Sequence, residues 1–265
     1  VFYNNGAKFG GNISTDYTNI ANVEIPALFF VDADEVDPIA WIAFYSGYSG
    51  VLGLSRNSSN SGVDVSSAWE WLVKEGWLDK SVFSLSFPRG GGRFGPREPG
   101  EFALGSYPEG FEKDGAIALP LKDAYGAWAT TVESLRFGPN LTEEFEDGIA
   151  YFTTTNSFLS LPGDWFWSIF NATGADFRNG RYPSVDCSKR GEIPKLTLGI
   201  GGQDVVLDGY QYTVVMNATQ DDCALGVGPS ENGAVGLGSV FMENFLMVFD
   251  ADEDSVFISE RASEE

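Results

Sequence analysis

Turn residues punctuate this chain every few positions, and that spacing constrains its fold more than any single motif does. Short β-branched and aromatic runs alternate with Gly, Asn, Asp and Pro, which suits short strands and leaves little room for long helices. Val1-Phe2-Tyr3, Asn4-Asn5-Gly6 and Ala7-Lys8-Phe9 predict a hairpin, because Asn and Gly tolerate positive φ at its turn. Further strands are expected over 23–31, 39–45, 82–87, 102–104, 116–119, 128–137, 241–250 and 256–258. Gly50-Val51-Leu52-Gly53-Leu54 reads as a buried strand whose glycines admit close backbone approach. Helical spacing is confined to two segments. Over 65–75, Trp69, Leu72 and Val73 share a face and Gly76 supplies a stop. Over 163–170, Trp165, Phe166 and Ile169 form an apolar side, with Pro162 at the start. The turn-rich stretch 88–100, with three arginines, reads as a long surface hairpin loop in preference to an anion-binding one, and 108–114 as a connector. The expectation is a mainly β protein of two packed lobes, 1–100 and 126–265, with 101–125 crossing between them.

Charge and missing residue types narrow the chemistry. Acidic side chains outnumber basic ones 38 to 16, for a net charge of −22. That balance disfavours nucleic acid and anionic membranes as partners and suits an acidic milieu, where partial protonation relieves self-repulsion. There is no histidine, which removes Ser-His-Asp and Cys-His mechanisms and any histidine-ligated zinc site. No dinucleotide loop, phosphate loop or repeat is visible, so neither cofactor nor metal is expected. Cys187 and Cys223 stand either as one disulfide, the preferred reading, or as two free buried thiols. Five N-glycosylation sequons begin at Asn12, Asn57, Asn140, Asn171 and Asn217. Together with a disulfide they predict a secreted or extracellular glycoprotein. The chain starts with Val1 and shows no signal-peptide pattern or transmembrane stretch, and is read as a processed product.

The segment 150–162, AYFTTTNSFLSLP, runs an apolar strand into a cluster of small polar residues and then into a second apolar run. Such a cluster is either a turn satisfied by its own hydroxyls or an active-site loop. Thr153, Thr154, Thr155, Asn156 and Ser157 supply no carboxylate. The nearest acids in sequence, Asp147 and Asp164, read as surface or capping carboxylates.

In order along the chain, several segments resemble the pepsin-like aspartic proteases. Tyr3-Asn4-Asn5-Gly6 resembles that family's flap. Tyr48-Ser49-Gly50-Val51-Leu52-Gly53-Leu54 resembles its first hydrophobic-hydrophobic-glycine element, with Ser49 at a customary aspartate. WEWLVKEGWLDKSVFSLSF, 69–87, resembles the helix, turn and strand that follow; 101–105 and 127–137 resemble the bridging strands. Gly236-Leu237-Gly238-Ser239-Val240-Phe241 resembles the late Leu-Gly-Asp-Val-Phe element, and Cys187 and Cys223 match a customary second-lobe disulfide. The resemblance covers nearly the whole chain and implies a bilobal pepsin-like fold lacking the N-terminal strands of the first lobe. The upstream segment is expected to be a separate polypeptide, cut off but retained non-covalently, in preference to one merely missing from this sequence or one truly lost.

The family's second catalytic strand ends in Asp-Thr-Gly-Thr/Ser-Ser. Anchoring on Ser157-Phe158-Leu159 and Pro162 puts Thr153 on the catalytic aspartate, Thr154 on the threonine and Thr155 on the glycine. A pepsin-like site works through two carboxylates sharing one proton, one activating water and the other polarising the carbonyl. A threonine hydroxyl lacks that basicity, and an internal threonine lacks the adjacent base a nucleophile needs. The resemblance therefore implies a secreted pepsin-like protein without proteolytic activity. On that reading peptide or protein binding is expected through Tyr3, Gly6, Thr153, Thr154 and Asn156, with Trp165 or Trp167 as a further subsite and at least one of the two in the core; the other reading is a cleft filled by the chain's own side chains. An atypical aspartic-type endopeptidase, or another hydrolase with a rebuilt site, is the alternative; a carbohydrate-active protein ranks below it.

Overall fold

The computed structural model describes residues 9–36, 50–56, 66–87, 100–178, 180–230 and 233–260. The expected hairpin over 1–9, the strand over 39–45 and the arginine loop at 88–99 fall wholly or mostly outside them. The described residues form seventeen strands, three short α-helices and three 3-10 turns, so the mainly β expectation holds.

The chain divides into two compact units. The first comprises Val1–Ser81, Leu104–Ser106 and Tyr125–Ala127. Its main feature is a long antiparallel hairpin of β1 (Phe9–Ile20) and β2 (Val23–Val36). Polar residues dominate β1, and sequence reasoning assigned it no strand. The reversal at Ala21-Asn22 uses positive φ at both positions, 49° and 66°, the geometry of a two-residue hairpin turn. Gly11 sits where a Cβ would lie 2.0 Å from the Asp32 carbonyl oxygen, so the bulge beside it tolerates only glycine. Helix α1 (Ala68–Lys74) buries Trp69 and Leu72, leaves Val73 half-buried and ends before Gly76 at φ 68°.

Residues 50–54 correct the sequence reading. They form no strand, and Val51 and Leu52 are exposed. Two glycines in five residues weaken a strand, and no ladder partner exists for this one among the described residues. Nothing lies close to a Cβ at Gly50. The backbone serves the helix instead: the Gly53 carbonyl accepts from Trp69 N, and the Ser55 carbonyl accepts from the Ser67 hydroxyl, itself the N-cap acceptor for Glu70 N at 3.0 Å.

The second unit comprises Val82–Ala103, Tyr107–Ala124 and Trp128–Glu265. In chain order it holds β3 (Val82–Ser86), all but the last residue of β4 (Glu101–Leu104), β5 (Ile117–Pro120), β6 (Ala129–Phe137), β7 (Leu141–Phe152) and β8 (Leu159–Pro162). Helix α2 (Gly163–Thr173) follows, then β9 (Ser184–Asp186), β10 (Leu196–Ile200), β11 (Gln203–Leu207), β12 (Thr213–Asn217), β13 (Asp222–Leu225) and β14 (Val227–Ser230). The chain closes with β15 (Val235–Leu237), helix α3 (Ser239–Met242), β16 (Phe245–Asp250) and β17 (Ser255–Glu260).

Seven strands order as β11-β10-β6-β7-β15-β8-β14, and five as β4-β3-β16-β17-β5. A third, small sheet runs β12-β13-β9. Residues 241–243, expected as strand, instead complete α3 and its C-cap. Phe241 N and Met242 N both donate to the Gly238 carbonyl, and the Asn244 amide closes the turn on the Val240 carbonyl at 2.8 Å. The core between the sheets is aromatic. Phe83 stacks on Phe249 at 4.5 Å, Trp128 meets both edge-on, and Phe152 meets Phe249 edge-on at 5.8 Å.

Candidate functional site

That cluster holds the end of β7 through Phe152, and Thr153 is the next residue. Beyond it the chain crosses the end of β15 and returns as β8. Strand β15 is threaded between the two: Val235, Gly236 and Leu237 pair in parallel with Ala150, Tyr151 and Phe152, and Gly236 faces Ser160. The loop 153–158 is held from below by the segment that leaves β15. Thr153 N donates to the Leu237 carbonyl at 3.2 Å, Ser239 N to the Asn156 carbonyl at 3.2 Å and Val240 N to the Ser157 carbonyl at 2.9 Å. This seating needs Gly238. A Cβ there would lie 2.3 Å from the Phe158 carbonyl oxygen and 2.6 Å from that of Asn156.

Within the loop two of the hydroxyls pair with each other. Thr153 and Thr155 share a hydroxyl hydrogen bond of 2.8 Å, and Thr155 N donates to the Thr153 hydroxyl. Asn156 donates through Nδ2 to the Ser160 hydroxyl at 2.5 Å and accepts from Phe158 N through Oδ1. No residue from 153 to 158 has positive φ, so β-branched Thr155 sits there without strain. Thr153 is half-buried, while Thr154, Thr155 and Asn156 are exposed. Among the described residues, no carboxylate hydrogen-bonds to any of the four. Asp147 points to solvent, 96% exposed, with Lys122 at 3.8 Å, and Asp164 is exposed in the first turn of α2. The loop itself offers neutral donors and acceptors.

The other sequence candidates lie as follows. Tyr3 and Gly6 fall outside the described residues. Trp165 is buried and donates through its indole to Glu143, whereas Trp167 is half exposed. Cys187 and Cys223 form a disulfide joining the end of β9 to β13. Asn12, Asn140 and Asn171 are exposed, Asn217 is half-buried with Oδ1 accepting from Thr219 and Gln220, and Asn57 lies outside the described residues. Ser160 is a partner that sequence reasoning missed, because the register that sets it opposite Gly236 carries no local signal. Among the described residues no group of three or more His, Cys, Asp or Glu is placed to hold a metal, and no helix is long and apolar enough to cross a membrane.

Comparison with known proteins agrees with this architecture. A family model for the eukaryotic aspartyl proteases matches residues 1–261. Cathepsin D of Gallus gallus is 26% identical over 265 residues, covering 97% of this chain and 64% of its own. Vacuolar protease A of Arthroderma otae is 22% identical over 268 residues, with shares of 97% and 64%. Napsin-A of Mus musculus is 27% identical over 193 residues, with shares of 70% and 45%. The chain thus spans less than two thirds of the length of these relatives.

Proposed function

The chain belongs to the eukaryotic aspartyl protease family, and from that premise we propose that it is a pepsin-like secreted glycoprotein that does not cleave peptide bonds. The observation that carries this reading is the loop 153–158, where the Thr153 and Thr155 hydroxyls bond each other and the Asn156 amide bonds Ser160, with no carboxylate hydrogen-bonded to these groups among the described residues. With Thr153 in the place of an acid, the shared proton and the split acidities of a carboxylate pair are lost. The same loop suits binding. Thr153, Thr154 and Asn156 offer neutral hydrogen-bonding groups to the backbone of an extended peptide. The sequons and the disulfide support passage through an oxidising secretory compartment.

The test is turnover of acid-denatured protein by the full-length product from about pH 2 to 8, counted as new amino termini; that range spans the carboxylate region. The expected result is none above a boiled control. Turnover with an acid-shifted or bell-shaped profile overturns the reading in favour of a rebuilt hydrolase.

We propose further that another polypeptide segment packs on the first unit. Ile13, Phe29, Phe30, Val51 and Leu52 are all at least 40% exposed, and both outer edges of the β1–β2 hairpin are open among the described residues. A native mass above that of this chain, splitting on denaturation, is the expected outcome. A single species of this chain's mass overturns it.

A further inference from the structure

Helix α2 carries an aromatic ledge that the preceding reading does not use. Trp167 is 50% exposed and Phe177 48% exposed. Phe170 joins them, edge-on to Trp167 at 5.4 Å and stacked on Phe177 at 5.1 Å. Three rings in contact, two of them half in water, are costly to leave bare on a protein whose surface is otherwise strongly acidic. The same helix carries an exposed sequon, Asn171-Ala172-Thr173. Asn171 lies four residues after Trp167, so the two side chains share a face. In a helix each Cα–Cβ bond tilts toward the N-terminus, which aims the Asn171 amide over Trp167 and away from the helix end. The Thr173 hydroxyl is bonded back to the Ile169 and Phe170 carbonyls at 2.9 and 3.1 Å, which fixes the last turn and the side-chain directions around it.

We propose that Asn171 carries an N-linked glycan whose first sugars lie on the ledge of Trp167, Phe170 and Phe177, so that the chain's own carbohydrate covers this surface. The inference rests on the glycoprotein reading above. The donor is a lipid-diphosphate-linked oligosaccharide. A bond forms from Asn171 Nδ2 to the anomeric carbon, that carbon's bond to the diphosphate oxygen breaks, and one amide proton leaves as the lipid diphosphate departs. The axial C–H groups of a pyranose present an apolar, faintly positive face to the π-clouds, as an aromatic platform favours.

The experiment expresses the full-length protein in a eukaryotic host with an N-glycosylation pathway. Glycopeptide mapping reads occupancy at each sequon. Hydroxyl-radical oxidation, read by peptide mass, then compares Trp167 in the wild type and in Asn171→Gln, with Trp77, 42% exposed in the first unit, as internal control. The expected result is an occupied Asn171 and a Trp167 oxidation rate that rises about twofold or more on loss of the sugar cover, Trp77 being unchanged. Where the variant does not fold, amidase removal of the glycan from the folded wild type, leaving an aspartate in its place, supplies the same comparison. Glycan at other sequons with Asn171 bare overturns this inference alone. No glycan at any sequon overturns the glycoprotein reading with it. An occupied Asn171 with unchanged Trp167 oxidation overturns the ledge contact.

Discussion

Gly238 and Ala21 show what a single backbone position decides here. Under the loop 153–158, a methyl group at 238 meets two carbonyl oxygens at 2.3 and 2.6 Å, neither on a flexible side chain. Gly238→Ala is expected to lower stability by about 1–3 kcal/mol, the usual cost of overpacking, read from the urea midpoint. Ala21 works the other way. It holds φ 49° in the β1–β2 turn, a conformation that costs an alanine energy. The double change Ala21→Asn, Asn22→Gly is expected to raise stability by about 0.5–1 kcal/mol, again from denaturant unfolding. These two positions also mark what the sequence let a reader see. Gly238 was visible within Gly236-Leu237-Gly238-Ser239. The Ala21-Asn22 turn was not, because it lacks the Asn-Gly signature and leads out of a polar strand. Tyr107 carries the pH dependence at this scale. Burial, and then its hydrogen bond to the fully buried Asp250, hold its phenol above the ordinary value of 10; burial does the same for Tyr212, with Asp208 adding to it. Raised folded-state values favour the neutral phenols, so their contribution is whole below about pH 10 and is lost as pH rises through the folded values. Unfolding midpoints are expected to fall above pH 10, and Tyr107→Phe is expected to reduce the slope.

Elements were legible where a side-chain pattern alone decides them. Trp69 and Leu72 in α1, and Trp165, Phe166 and Ile169 in α2, are buried as their spacing requires. The failures came where a partner decides. Residues 50–54 have strand composition, yet the Gly53 carbonyl, with that of Ser55 just beyond, serves the start of α1. Residues 241–243 are apolar enough for a strand, yet the Gly238 carbonyl and the Asn244 amide bend them into α3. The candidate loop was legible as a carboxylate-free polar cluster, but its internal pairing, with Ser160 as a member, depends on β15 and is invisible locally. Ser67 offers a direct check on the first case. Its hydroxyl both caps α1 and holds the Ser55 carbonyl at 2.7 Å, so Ser67→Ala is expected to cost about 1 kcal/mol. Hydrogen exchange is expected to quicken at the Trp69 and Glu70 amides together.

At the scale of the molecule, the Cys187–Cys223 bond closes a stretch of 36 positions. Its removal by paired serine substitution is expected to cost about 4 kcal/mol on the chain-entropy account, read as a lower thermal midpoint. The threading of β15 between β7 and β8 has a consequence for synthesis. Phe152 and Leu237 are paired in register although 85 positions separate them, the difference of 237 and 152. A ribosome delivers β7, the loop and β8 long before the strand that belongs between them. Until Val235 to Leu237 emerge, the gap in the sheet stays unfilled, and the loop has neither the Leu237 carbonyl nor the Ser239 and Val240 amides to settle on. The candidate loop is thus among the last parts of the nascent chain to take shape, and a message cut short before the codon for Val235 is expected to yield a product that has β7 and β8 without the strand that seats the loop between them.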